Sequence, residues 1–210
     1  MRTTLLLIRH GQTPWNALGK IQGCTDITLE PSGIYQAELL SKRLDGNFTQ
    51  LYTSPLKRAY ETAQILGRPN GINPIPNDDL SEINFGSWEG LTFKEVAARF
   101  PADYKLWRLD PVLGPMTDGE GSLKNCSERG KKIMLDLVKK HPGETIAVVS
   151  HGGFIKASLL GLFDLPMTLY HQIALGNTCL TTIRFDENLR PVLMGLNDTS
   201  HLASLEVTSV

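Results

Sequence analysis

Apolar residues run unbroken from Leu5 to Ile8 behind Thr3 and Thr4, then stop at Arg9 and His10. A short β-prone run without polar alternation is the pattern of a strand covered on both faces. A second such run spans Thr145 to Val149. Between them the period changes. Ile34, Ala37, Leu40 and Leu44 recur at helical spacing, with Pro31 suited to a first-turn position. Leu51 to Thr53 predicts a short strand. Ser54-Pro55 then has the form of an N-cap and an N1 proline opening a helix to about Leu66. The stretch from Gly67 to Gly121 is rich in Pro and Gly and predicts one helix, from about Thr92 to Phe100. Leu123, Cys126, Ile133, Leu137 and Val138 fall on one side of a long helix beginning at Ser122. Phe154 to Leu162 predicts another helix, and Cys179 to Phe185 and Val192 to Leu196 predict late strands. Strands alternating with helices predict an α/β fold of three layers, with a mostly parallel central sheet flanked by helices. No repeat or Gly/Ser linker divides this order, so residues 1–210 read as one domain.

Composition narrows the classes. With 210 residues, 41% of them hydrophobic, the chain can bury one substantial core. A net charge of -1 argues against a general nucleic-acid or membrane-surface binder. No apolar run is long enough to span a bilayer, and Leu5 to Ile8 is too short for a signal peptide. Cys24, Cys126 and Cys179 are odd in number and widely spaced, so they suggest neither a disulfide framework nor a metal knot. The expected setting is reducing and cytoplasmic, where the sequons at Asn47, Asn125 and Asn197 carry no meaning.

Unusual residues collect at three strand ends. Arg9-His10-Gly11-Gln12-Thr13 follows the first strand, Ser54-Pro55-Leu56-Lys57-Arg58 enters a helix, and Ser150-His151-Gly152-Gly153 follows the second strong strand. Sites in open α/β sheets form at the carboxyl ends of strands, where helix N-termini favour anions. Two histidines and two arginines can therefore converge on one anionic pocket. Neutral imidazole is a competent nucleophile at neutral pH. Arginines and N–H groups can stabilise a transferring phosphoryl group without a strict need for a metal. The leaving alkoxide still needs a proton, and Glu82 is the best-placed carboxyl group in sequence.

These blocks resemble a known family. Arg9-His10-Gly11-x-Thr13-x-x-Asn16, Ser54-Pro55-Leu56-x-Arg58-Ala59-x-x-Thr62-Ala63, Glu82-Ile83-x-x-Gly86-x-Trp88-Glu89-Gly90 and Ser150-His151-Gly152-Gly153 occur in the order of the histidine phosphatase superfamily. The resemblance is to its phosphoglycerate-mutase-like branch, over nearly the whole chain. It implies that His10 becomes phosphohistidine. It implies that Arg9, Arg58 and His151 bind the transferred group, with a side-chain contact from Asn16. Gln22 and Gly23 would approach the phosphate partly through backbone, and Gly152 permits a similar close approach. Glu82 would act as proton donor and then as base. Gln12 replaces a glutamate common in relatives, at a position with no catalytic role. Gly119-Glu120-Gly121-Ser122 matches the family's Gly-Glu-Ser loosely, which bears on local loop geometry.

Other residues have plainer readings. His141, His171 and His201 are expected on the surface or in packing, as are Phe85 and Trp88 in packing. Glu89 is expected to support nearby backbone or an arginine. Trp107 and Met116 fit a substrate wall and a core contact equally well. Motifs for P-loop, cysteine-phosphatase, serine-hydrolase and zinc chemistry are missing from the sequence. No metal ligand and no cofactor is expected.

The reading is therefore a phosphatase of small phosphomonoesters, with a small phosphorylated metabolite as partner and a monomer or dimer as assembly. Two alternatives stand beside it: a phosphoglycerate mutase primed by a bisphosphate, and a catalytically silent phosphate-binding protein. The segment between Gly90 and Gly121 is expected to be too short for the large cover a mutase needs. Phosphorylated carboxylates, sugar phosphates, phosphoserine and α-ribazole phosphate are all open as substrates. Lys20, Lys105 and Arg108 are candidates to meet a carboxylate.

Overall fold

Successive side chains of a strand face opposite ways, and here both directions are buried. Leu5 and Leu7 pack into one apolar cluster and Leu6 and Ile8 into another. These residues belong to β1 (Thr3–Arg9) in a computed structural model that describes residues 2–110 and 119–203. The remaining strands are β2 (Gln50–Thr53), β3 (Ile75–Pro76), β4 (Thr145–Ser150), β5 (Leu180–Phe185) and β6 (Pro191–Asp198). They form one six-stranded sheet in the order β3-β2-β4-β1-β5-β6. β1 pairs parallel to β4, β4 to β2 and β2 to β3, whereas β5 and β6 run antiparallel. The expected mostly parallel sheet is thus present, with an antiparallel edge.

The helices are α1 (Pro14–Ala17), α2 (Pro31–Leu44), α3 (Lys57–Gly67), α4 (Phe93–Arg99), α5 (Pro101–Leu109), α6 (Leu123–Lys140) and α7 (Gly152–Leu162). Leu40 and Leu44 of α2 and Ala59, Ala63 and Leu66 of α3 cover the sheet face that carries Leu6, Ile8, Ala147 and Val149. Residues of α6 and α7, among them Met134, Leu137, Phe154 and Ile155, cover the face that carries Leu5, Leu7, Ile146 and Val148. This gives the three expected layers. Fully burying one such leucine or valine contributes about 1.5–3 kcal/mol, so the two clusters fix the sheet register firmly.

The long helix α6 starts where expected, and Ser122 is its N-cap, accepting from the Asn125 N–H at 3.2 Å. The start of α3 differs from its sequence reading. Leu56 is the N-cap, without a side-chain hydrogen bond, and Ser54 and Pro55 precede the helix. The Ser54 N–H bonds the Val149 carbonyl at 3.0 Å, which continues the pairing of β2 with β4. Among the described residues, the stretch from Gly67 to Gly121 holds two α-helices rather than one. Backbone geometry at Phe100 breaks α4, and Pro101 at the first-turn position restarts the chain as α5. Strand β3, two residues long at the sheet edge, carries too little pattern to be seen in sequence.

Candidate active site

His10 directly follows β1, His151 directly follows β4, and Ser54 directly follows β2. Because β1, β4 and β2 are parallel neighbours, their carboxyl ends deliver these residues to one place. The His10 and His151 rings lie 5.2 Å apart between centroids. His10 Nδ1 lies 2.7 Å from the Gly11 carbonyl oxygen. A carbonyl can only accept, so Nδ1 carries the proton and Nε2 keeps its lone pair. The backbone around it is pinned. The His10 N–H donates to Ser150 O at 2.9 Å, and Asn177 Nδ2 donates to His10 O at 3.0 Å. The Gly11 N–H donates to Thr62 Oγ1 at 3.0 Å.

Burial and the positive charges of Arg58 and Arg9 hold the His10 pKa well below its ordinary value, and the Gly11 hydrogen bond only partly opposes them. His151 is held down similarly, by burial first and then by Arg58, His10 and Arg9. Both imidazoles are therefore neutral near pH 7. His151 Nε2 lies 2.8 Å from Ser54 Oγ. Ser54 Oγ also accepts the Leu56 N–H at 3.3 Å, so its own proton is assigned to Nε2. His151 Nδ1 is then a donor, and it is buried without a protein partner among the described residues.

Both arginines are tied at one end and unpartnered at another. Arg9 Nη1 donates to the Leu175 carbonyl, while its Nε has no partner among the described residues. Arg58 donates from Nη2 to Gly23 O at 2.7 Å and from Nη1 to Thr25 O at 2.9 Å, and its Nε is likewise unpartnered. Burial lowers the pKa of each. Unpartnered buried guanidinium donors are costly unless an anion completes them.

Arg9, His10, Asn16, Gln22, Gly23, Arg58, Glu82 and Gly152 line one cavity of about 340 Å³, large enough for a small metabolite. His151 is fully buried beside His10 and is not among the residues that line the cavity. Asn16 Oδ1 accepts from the Thr13 N–H at 3.1 Å and from Asn177 Nδ2 at 3.2 Å, which leaves its Nδ2 as donor toward the cavity. Gln22 is buried with Oε1 unpartnered among the described residues. Gly23 has φ +53°, and a Cβ there would sit 1.9 Å from Glu89 Oε1, so only glycine fits. Glu89 supports this loop, accepting from the Cys24 and Thr25 N–H groups at 2.8 and 3.0 Å. Glu82 accepts from the Gly153 and Phe154 N–H groups of α7 at 3.0 and 2.7 Å, and from Ile83 at 2.9 Å. A Cβ on Gly153 would approach Glu82 Oε1 to 2.6 Å.

Of the cations named from sequence, Lys20 lines the cavity, whereas Lys105 and Arg108 are exposed elsewhere. Phe85 both packs in the core and lines the cavity, and Trp88 is fully buried. Trp107 is a core residue, with its ring edge-on to Trp88 at 5.7 Å. Met116 lies outside the described residues. His141 and His171 are packing residues, bonded to Tyr52 and to the Trp107 carbonyl respectively. His201 bonds Thr178 Oγ1 at 3.0 Å. The sequence reading missed Ser54 as partner of His151, Asn177 as brace of His10 and Asn16, and Lys156 and Tyr170 on the cavity wall. Lys156 had a signal available: it lies four residues after Gly152, on the same face of α7. The three cysteines are free. Among the described residues no cluster of His, Cys, Asp or Glu could hold a metal ion, and no helix is long and apolar enough to cross a membrane.

Comparison with known proteins gives the chain's family. The family model Histidine phosphatase superfamily (branch 1) matches residues 5–199. Phosphoserine phosphatase 1 of Hydrogenobacter thermophilus is 32% identical over 204 residues, covering 97% of this chain and 96% of that protein. The crystal structure of phosphoserine phosphatase from Entamoeba histolytica with 3-phosphoglyceric acid superposes with a TM-score of 0.89 at 42% identity, covering 95% of this chain and 99% of that one. A histidine-to-alanine mutant of the same enzyme, in complex with phosphoserine, gives 0.88 at 43% identity, with the same coverage. The chain belongs to the histidine phosphatase superfamily, branch 1.

Proposed function

We propose that this chain, a phosphoric monoester hydrolase of the histidine phosphatase superfamily, passes the phosphoryl group of phosphoserine through His10 to water. One observation carries the mechanism: a neutral His10, with Nδ1 committed to Gly11 O, faces donors of Arg9, Arg58 and His151 that lack protein partners among the described residues. His10 Nε2 attacks phosphorus as the bond to the ester oxygen breaks. The three donors, with Asn16 Nδ2, hold the equatorial oxygens as charge accumulates there. Glu82, on the cavity wall, gives a proton to the departing serine oxygen. It then takes a proton from the water that attacks phosphohistidine, so that inorganic phosphate leaves and His10 and Glu82 are restored. Gln22, Gly23 and Gly152 shape the approach of the phosphate.

The substrate assignment is supported by the phosphoserine phosphatases of Hydrogenobacter thermophilus and Entamoeba histolytica. We assign the whole activity to one domain, residues 1–210, and place the protein in a reducing, cytoplasmic setting, in keeping with its three free cysteines. Hydrolysis is preferred over mutase exchange because the stretch from Gly90 to Gly121 is short; residues 111–118 of it lie outside the described residues.

Reaction with phosphate-labelled phosphoserine, quenched in alkaline detergent so that a phosphohistidine survives, tests the mechanism. The expected result is one acid-labile, base-stable label on His10, formed in excess chelator as readily as without it. A label elsewhere, or activity lost to chelation and restored by magnesium or zinc, would overturn it. Measuring phosphate release against 3-phosphoglycerate isomerisation, with a bisphosphate primer present, decides between hydrolysis and exchange.

A further inference from the structure

We propose that Lys156 binds the substrate's carboxylate and so selects phosphate esters that carry one near the ester oxygen. This rests on the phosphatase reading of the same cavity and deepens it.

Lys156 lies on α7, one turn beyond Gly152, and shares a cavity wall with Arg9, His10 and Glu82. Side chains of a helix lean toward its N-terminus, so the Lys156 stem leans back toward Gly152 and the phosphate end. Its ammonium sits 3.9 Å from the centroid of the Tyr170 ring, which is buried and holds the amine in place. Among the described residues no carboxylate forms an ion pair with it. Burial pushes its pKa down to about 8; Glu82 pulls the other way, and Arg9 and Arg108 push it further down. This is a partly desolvated cation without an ion-pair partner, a state an added anion relieves.

The phosphoryl group is not that anion, since Arg9, Arg58 and His151 already supply its donors. Apolar residues, among them Ile21, Phe85, Ile173 and Ala174, also line this cavity. A second anionic group on the substrate therefore has Lys156 as its half-buried partner. Lys20 also lines the cavity, and it lies against the Trp15 ring at 5.8 Å.

The test compares kcat/KM for phosphoserine with that for phosphoethanolamine, which is phosphoserine without its carboxylate. p-Nitrophenyl phosphate turnover in the same samples reports that each variant is folded. The wild type is expected to favour phosphoserine. Lys156→Met is expected to reduce the phosphoserine-to-phosphoethanolamine ratio about 10- to 100-fold, the range of a hydrogen bond to a charged group. Lys156→Arg is expected to keep most of the ratio, and Lys20→Met to change it little. A high wild-type ratio that survives Lys156→Met, or that falls in Lys20→Met instead, overturns the assignment and leaves the phosphatase reading intact. An equal loss on every substrate also overturns it, because Lys156 would then serve the phosphoryl group or the fold. A wild-type ratio near one overturns both this inference and the phosphoserine assignment.

Discussion

The two ends of the cavity are built on different principles. At the phosphate end, β1, β4 and the residue after β2 lie side by side in a parallel ladder. Each contributes a side chain within two residues of its strand end. At the outer end the wall comes from unrelated places: Phe93 on α4, Lys156 on α7, Tyr170 in a short 3₁₀ turn and Ile173 to Leu175 in the following loop. The phosphate end is buried, positively charged and fixed by hydrogen bonds to the sheet. The outer end is mostly apolar, with its cations resting on aromatic rings. On the proposed reading, chemistry is placed where the sheet's hydrogen bonds fix the backbone, and substrate choice where elements far apart in sequence meet.

A substitution at the phosphate end should then lower turnover of every ester, and one at the outer end should change preference among esters. The largest expected effect is His10→Ala. Loss of the nucleophile should reduce kcat by at least about 10⁴-fold on phosphoserine, phosphoethanolamine and p-nitrophenyl phosphate alike. Its thermal midpoint at pH 7.5 should stay near wild type. Retained turnover of any of the three esters would break the contrast, because that ester would be cleaved without His10.

Glu82→Gln comes next, with an expected loss of about 10²-fold for alkyl esters. The phosphorylation step of p-nitrophenyl phosphate should suffer less, since p-nitrophenolate leaves without a proton. Pre-steady-state release of p-nitrophenol measures that step. Equal losses would show that Glu82 acts by holding Gly153 and Phe154 at the start of α7 rather than by moving protons.

This contrast also explains what could be read from the chain. His10, Arg58 and His151 were legible because strand ends are marked by where an apolar run stops, and the chemistry follows within a few residues. Both strong strands, α6 and the three layers follow from periodicity alone. Ser54 was misread because Ser-Pro before a helix is a common capping pattern. Its hydroxyl is instead engaged by His151, 97 residues away, a contact no local pattern encodes. The break between α4 and α5 at Phe100-Pro101 was read as the end of a single helix, since proline both stops one helix and starts another. Lys156 and Tyr170 share a wall only because α7 and the turn after it pack together, and their partnership has no sequence signature.

Arg129 tests how the two ends are joined. Its Nη1 donates to the Asp79 and Ser81 carbonyls at 2.7 and 3.0 Å, and its other nitrogens grip Glu120 at 2.8 and 2.9 Å. The guanidinium also lies 4.8 Å from the Phe154 ring centroid. It therefore positions the segment carrying Glu82 without lining the cavity. Arg129→Ala should destabilise the protein by about 2 kcal/mol, the scale of lost charged hydrogen bonds at a partly exposed site. It should lower kcat on phosphoserine about tenfold while leaving KM nearly unchanged, because Glu82 is displaced and the phosphate donors are not. A raised KM with normal kcat would place the effect on binding and remove Arg129 from this role.

The smallest effect is a pH dependence that the phosphate end should show and the outer end should not. His10 and His151 both have folded pKa values below the unfolded value of about 6.5. Above that value both are neutral in either state, and their contribution to stability is whole. As pH falls through it, the unfolded chain gains protons that the buried imidazoles refuse, so stability is lost toward the folded pKa values. Each histidine adds a slope of at most about 1.4 kcal/mol per pH unit in that window. His10→Ala removes one of the two slopes. Urea unfolding at pH 7.5 and 5.5 should therefore show the variant losing about 1 kcal/mol less than wild type over the interval. Lys156→Met removes a group whose pKa of about 8 lies above this interval, so it should lose nearly as much as wild type. If His10→Ala and wild type fall in parallel, the burial and arginine charge around His10 do not govern its protonation. The phosphate end would then owe its neutral nucleophile to something other than this geometry.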